Sequence, residues 1–170
     1  MISRNLYRNI FVPLLFLILI FFTINFQTTL WFGFFGNIPN PVLWPSIFVF
    51  LMTNRGSKHR MGWMLAFLLI ICAHTVAIPL YVFFSLATLA FLIRFTQKRF
   101  SAMDTKDLMA FSFISTILFP LLYSLYSLIG NEYVYNFWQH ATNALLTIPF
   151  IPLVLYVCKK IDRLLKASDE

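Results

Sequence analysis

No residue between Arg8 and Arg55 carries a charge, and a second charge-free stretch lies between Arg60 and Arg94. Runs of that length cannot form the surface of a water-soluble domain, where about a quarter of residues are charged. Here only 11% are charged, against 60% hydrophobic, and the mean hydropathy is +0.80. Such a surface suits lipid. A backbone in hydrocarbon must satisfy its own hydrogen bonds, which leaves helices or a closed barrel. The apolar runs are continuous rather than alternating, which excludes the barrel. The expected fold class is therefore all-α: a polytopic integral membrane protein forming a single transmembrane domain over 1–170.

A bilayer core needs about 20 apolar residues per helix. The first run supplies one span, then Gly33, Gly36, Pro39 and Pro41 punctuate a turn, and a short apolar segment follows up to Thr53. That second span is expected to begin near Ile38 and to tilt or thin the bilayer. The stretch from Met61 to Ile93 is long for one helix, and Pro79 near its middle divides it; a re-entrant segment is the other form it could take. Six helices result, at about 10–31, 38–53, 61–78, 80–94, 107–129 and 139–158. The first helix has no small-residue cleavage site after it and is expected to be retained.

The distribution of basic residues tests this count. With the N-terminus in the cytoplasm, all 13 Lys and Arg residues fall on inner segments. They include Arg55, Lys58, Arg60, Arg94, Lys98, Arg99, Lys159 and Lys160, a basic cytoplasmic face, and both termini lie inside. A single span over 61–93 would destroy that segregation. The net charge of +7 is explained by this face meeting anionic lipid, and a nucleic-acid partner is not required. Trp31, Trp44, Trp63 and Trp138 fall near the expected helix ends, as interfacial anchors do. Cys72 and Cys158 are expected at different depths, so neither a disulfide nor a metal site is indicated.

The chain contains no P-loop, HExxH, GxSxG or Cys/His cluster, and none of its six acidic residues falls at mid-membrane depth. A non-enzymatic role without a cofactor follows as the expectation. The uncharged polar residues are more informative. Asn25 and Gln27 fall towards the outer end of the first helix and His74 towards that of the third. His140 and Asn143, one turn apart, begin the sixth, with Glu132 in the adjoining outer turn. These groups form either an outward-facing cavity or docking face, or interhelical hydrogen bonds worth about 0.6 kcal/mol each. On the fifth helix Ser112, Ser115, Thr116, Ser124 and Ser127 suit close helix packing.

With the helices laid out, the chain resembles the MreD family of bacterial rod-shape-determining membrane proteins. The likeness rests on size, the six-helix layout and Phe26-Gln27-Thr28-Thr29-Leu30 at the exit of the first helix. It rests also on Ile38-Pro39-Asn40-Pro41 leading into a short second span, and on a closing helix from Asn143 into the basic Lys159-Lys160-Ile161-Asp162-Arg163. The chain departs from the family in the third helix, where Ile71-Cys72-Ala73-His74 stands in place of glycines and an aspartate. The resemblance implies a scaffold of the cell-wall elongation machinery in the bacterial inner membrane, helping to maintain cell shape. Its partners would be an MreC-like single-span protein and, through it, RodA and a transpeptidase. It also implies an architecture similar to the S components of energy-coupling-factor transporters, which bind a vitamin or other small molecule. That transporter role is the alternative function.

Overall fold

The computed structural model describes residues 12–35, 39–53, 60–74, 78–99, 104–128 and 137–166, and among them it contains helices and no strand. Helix α1 (Val12–Asn25) continues through a π-helical segment, Phe26–Leu30, into α2 (Trp31–Phe35). Then follow α3 (Trp44–Thr53), α4 (Arg60–His74), α5 (Pro79–Arg99) and α6 (Thr105–Leu128). The chain closes with α7 (Phe137–Thr147), a 3₁₀ turn at Ile148–Phe150 and α8 (Ile151–Lys166). Four stretches are long and apolar enough to cross a membrane: Pro13–Phe35, Pro79–Gln97, Thr105–Leu128 and Trp138–Arg163. Trp44–Thr53 and Met61–His74 are shorter apolar helices.

The shortest of these six helical stretches is the most enclosed. Every residue of α3 from Trp44 to Met52 is buried, and α6, α5, α8, α1 and α4 all pack on it. A helix that is apolar all round belongs in a core or in lipid, and α3 takes the core. Its rings set the packing: Phe48 meets Phe67 edge-on at 5.2 Å, and Trp44 meets Phe119 at 4.7 Å. Offset and edge-to-face pairs of this kind add about 0.5–1.5 kcal/mol each beyond area burial. Phe16 on α1 stacks on Phe50 and stands edge-on to Trp63 of α4. The outward faces of α1, α5, α6 and α8 carry Leu, Ile and Phe, among them Phe22, Phe91, Ile114 and Leu153.

Helix boundaries depart from the sequence expectation in instructive ways. Helix continues through Gly33, where a turn was expected, and the chain is non-helical from Pro39 to Leu43, where a helix was expected from Ile38. Pro39 and Pro41 are the reason: each disfavours helix in the residue before it and cannot donate a backbone bond, whereas Pro45 sits in the first turn of α3, where proline is tolerated. Helix α5 runs on to Arg99 rather than stopping at Arg94, and the last pass is interrupted at Pro149 and extends to Lys166. Trp44 and Trp63 are not interfacial anchors but buried core residues; Trp138 is exposed. The hydroxylated face of α6 is buried as expected, and Thr88 Oγ1 pairs with Tyr126 OH across α5 and α6 at 2.7 Å.

Side-chain bonds show how the ends align. Gln97 Nε2 donates to the carbonyl of Thr53 at 2.7 Å, joining the last turns of α5 and α3. Lys159 Nζ donates to Thr105 Oγ1 at 2.5 Å, bringing the second half of α8 to the start of α6. At the opposite end the Ile78 N–H donates to Tyr123 OH at 3.2 Å. Successive passes therefore run in alternating directions. All charged residues among those described, from Arg60 at the start of α4 to Lys166, fall at one end of the bundle. The other end is uncharged among the described residues.

Candidate functional site

The uncharged end is built where three irregular pieces of backbone meet. The first is the π-helical segment, in which the Trp31 N–H reaches back five residues to the carbonyl of Phe26. Widening a helix in this way frees carbonyls from the regular ladder, and such bulges recur at functional sites. The carbonyl of Gln27, inside this segment, accepts from Asn40 Nδ2 at 3.0 Å. Gln27 answers with its own side chain, Nε2 donating to the carbonyl of Pro41 at 2.9 Å. The second irregular piece, Pro39–Leu43, is thus stitched to the first in both directions.

The third piece is the interruption of the last pass at Ile148–Phe150, with Pro149 inside it. Just ahead of it, Asn143 and Thr147 lie one turn apart on α7. Asn143 Oδ1 accepts the N–H of Asn40 at 3.0 Å, and Thr147 Oγ1 accepts the N–H of Val42 at 2.7 Å. Thr147 also donates to the carbonyl of Asn143 at 2.7 Å. Backbone groups that a helix would satisfy internally are satisfied here by side chains of two flanking helices, as burial demands. Asn143 and Gln27 are buried and Thr147 fully so.

Depth gives this arrangement its interest. Thr147 lies near the middle of the Trp138–Arg163 stretch, and from Thr147 to Lys159 the chain climbs about 18 Å at about 1.5 Å per residue. Non-helical backbone level with Thr147 is therefore far from either end of the pass. The same geometry explains how so short a helix as α3 serves. Its 10 residues rise about 15 Å, and the non-helical residues ahead of it can cover up to about 3.3–3.6 Å each.

Of the polar residues singled out in the sequence, the structure brings Gln27 and Asn143 together through Asn40. Asn25 and His74 are not part of this network, and His74 stands on the α1–α4 contact. Asn25 Nδ2 donates to the carbonyl of Phe21, His74 Nδ1 donates to that of Ile70, and the His74 ring meets Phe21 edge-on at 5.3 Å. His140 is half-buried, one turn before Asn143. Glu132 lies outside the described residues, as do Arg55 and Lys58 and the side chains of Arg60, Lys98 and Arg99. Arg94 and Lys160 are exposed at the basic end, and Lys159 is half-buried there. Asn40 and Thr147 complete the site. Asn40 could have been suspected from its place between two prolines, which leaves its side chain to do what helix cannot.

Two polar atoms of the inner region, Gln27 Oε1 and Ser46 Oγ, are buried and have no hydrogen-bond partner among the described residues. Chemically, the arrangement offers amide and hydroxyl groups and no charge. No group of three or more His, Cys, Asp or Glu side chains that could hold a metal occurs among the described residues, and Cys72 and Cys158 are free thiols. Set against protein-family models, curated proteins and solved structures, the chain matches none of them.

Proposed function

We propose that this chain is a six-pass, non-enzymatic membrane scaffold of the MreD type, with both termini on the cytoplasmic side of a bacterial inner membrane. In this reading it works in cell-wall elongation and cell-shape maintenance. It binds an MreC-like single-span partner at its uncharged end, and its basic end faces the cytoplasm and anionic lipid. The observation that carries the reading is the segregation of charge. Alternating passes gather all the described charged residues at one end, as the positive-inside rule requires of a multi-pass protein. The absence of charge at the other end, among the described residues, suits contact with an apolar partner helix.

A second reading, a substrate-binding S component of an energy-coupling-factor transporter, is favoured by one specific observation: the buried, unpartnered Gln27 Oε1 amid three backbone breaks. Non-helical backbone at mid-depth is where many transporters bind their substrates. Purification of the tagged protein from its native cell in mild detergent, with mass spectrometry of what accompanies it, separates the two. A single-span protein with wall-synthesis enzymes is the expected result. ATPase subunits with a coupling protein, or a bound vitamin, would overturn the scaffold reading in favour of the transporter.

A further inference from the structure

The side chain of Gln27 is oriented by chemistry as well as by geometry. Its partner, the carbonyl of Pro41, can only accept, so the amide nitrogen must face it and Oε1 must point the other way. Gln27 is 6% exposed, and Oε1 meets no donor among the described residues. A buried acceptor left in that state is destabilising. Beside it, Asn40 spends Nδ2 on the carbonyl of Gln27 and its N–H on Asn143, and it is only half-buried, as are Pro39 and Val42.

Half-burial is the telling feature. Hydrocarbon does not tolerate irregular backbone on the lipid-facing surface; such segments at membrane depth are either enclosed in protein or line a water-filled cavity. Pro39, Asn40 and Val42 are not enclosed, yet Asn40 lies level with Asn143, more than a turn into the last pass, and Val42 lies a turn deeper, level with Thr147. We propose that the Pro39–Leu43 segment lines an aqueous crevice that enters from the uncharged end between α1 and α7, with Gln27 Oε1 enclosed beneath it. Water fits because the polar groups at this place among the described residues are neutral amide, hydroxyl and backbone groups. A cation held by an amide oxygen there would have no counter-charge among the described residues. The proposal rests on the chain spanning a membrane; the MreD-type role can fail without affecting it.

The test is cysteine accessibility in the full-length protein in its own membranes. Pro39→Cys is the main variant, because the side chain of Pro39 makes no hydrogen bond that the substitution would break. Asn40→Cys is the second, and the unsubstituted protein gives the background from Cys72 and Cys158. Leu145→Cys, on the outer face of α7 and 60% exposed, is the lipid-facing control. A membrane-impermeant methanethiosulfonate should modify Pro39→Cys about ten-fold or more faster than Leu145→Cys, because the reactive thiolate forms only where water reaches it. Modification from the external side of intact cells is the expected result. Modification only in inside-out vesicles would keep the crevice and overturn the proposed orientation. Pro39→Cys as unreactive as Leu145→Cys from both sides, in a protein that still elutes as a single folded species, would overturn the crevice.

Discussion

The two ends of this bundle solve the same problem by different means. At the basic end the helices finish in regular geometry, and single contacts join them: Gln97 to the carbonyl of Thr53, and Lys159 to Thr105. The start of α6 is capped locally, with Asp107 Oδ2 accepting the N–H of Asp104 at 3.0 Å. Water is close by and can replace any bond that is lost. At the uncharged end the backbone itself is broken in three places, and two of the breaks, at Gln27 and at Pro39–Leu43, are satisfied by side chains from another part of the chain. Bonds there are interlocked, and the one from Gln27 to the carbonyl of Pro41 is shut away from water. The comparison teaches that polar residues in an apolar chain weigh most where they replace secondary structure, not where they are most numerous or most charged.

The largest effect that could break this comparison is expected from Thr147→Val. Valine keeps the shape but strands the N–H of Val42 beside a fully buried position. A loss of about 2 kcal/mol is expected, well above the average of about 0.6 kcal/mol for interhelical bonds in membranes, read as thermal unfolding in detergent. An unchanged midpoint would mean that the breaks are not held from α7. Next comes Asn143→Ala, which removes the acceptor for the N–H of Asn40. Alanine leaves room for water beside the half-buried Asn40, whereas valine fills the fully buried space at 147, so the expected loss is smaller, about 1 kcal/mol. A loss as large as that of Thr147→Val would argue that no water reaches Asn40.

At the basic end smaller effects are expected. Gln97→Ala should cost about 0.5–1 kcal/mol, since the carbonyl of Thr53 closes a helix whose last residue is only half-buried. Lys159→Ala, which gives up a surface bond to Thr105, should stay within about 0.5 kcal/mol. Should either variant unfold the protein more readily than Thr147→Val, the contrast between the two ends would collapse.

Much of this was legible in the sequence. Charge-free runs bounded by arginines and lysines determined that the chain is helical and apolar-surfaced, and Pro79 marked the start of α5, but the expected helices ran through Pro39, Pro41 and Pro149, where the backbone is interrupted. Gln27 and Asn143 stood out because amides are rare in such runs and must find partners. Asn40 and Thr147 did not, since an Asn between prolines reads as an ordinary turn and a Thr in a helix ordinarily bonds its own backbone, as Thr23 does with the carbonyls of Leu19 and Ile20. Asn25 and His74 looked equivalent to Gln27 by depth, yet each satisfies itself on its own helix.

By itself, then, the sequence determined the solvent of this protein, the helical class and the end of each helix at which charge is gathered, because these follow from the local cost of putting charge or unpaired backbone into hydrocarbon. Only the tertiary structure decided that the shortest helix would be the central one, that Trp44 and Trp63 would serve the core, and that three backbone breaks would meet. Those outcomes depend on which faces are left for one another once all the passes pack, and the π-helical widening at Gln27 depends on a donor supplied by Asn40 from a different part of the chain.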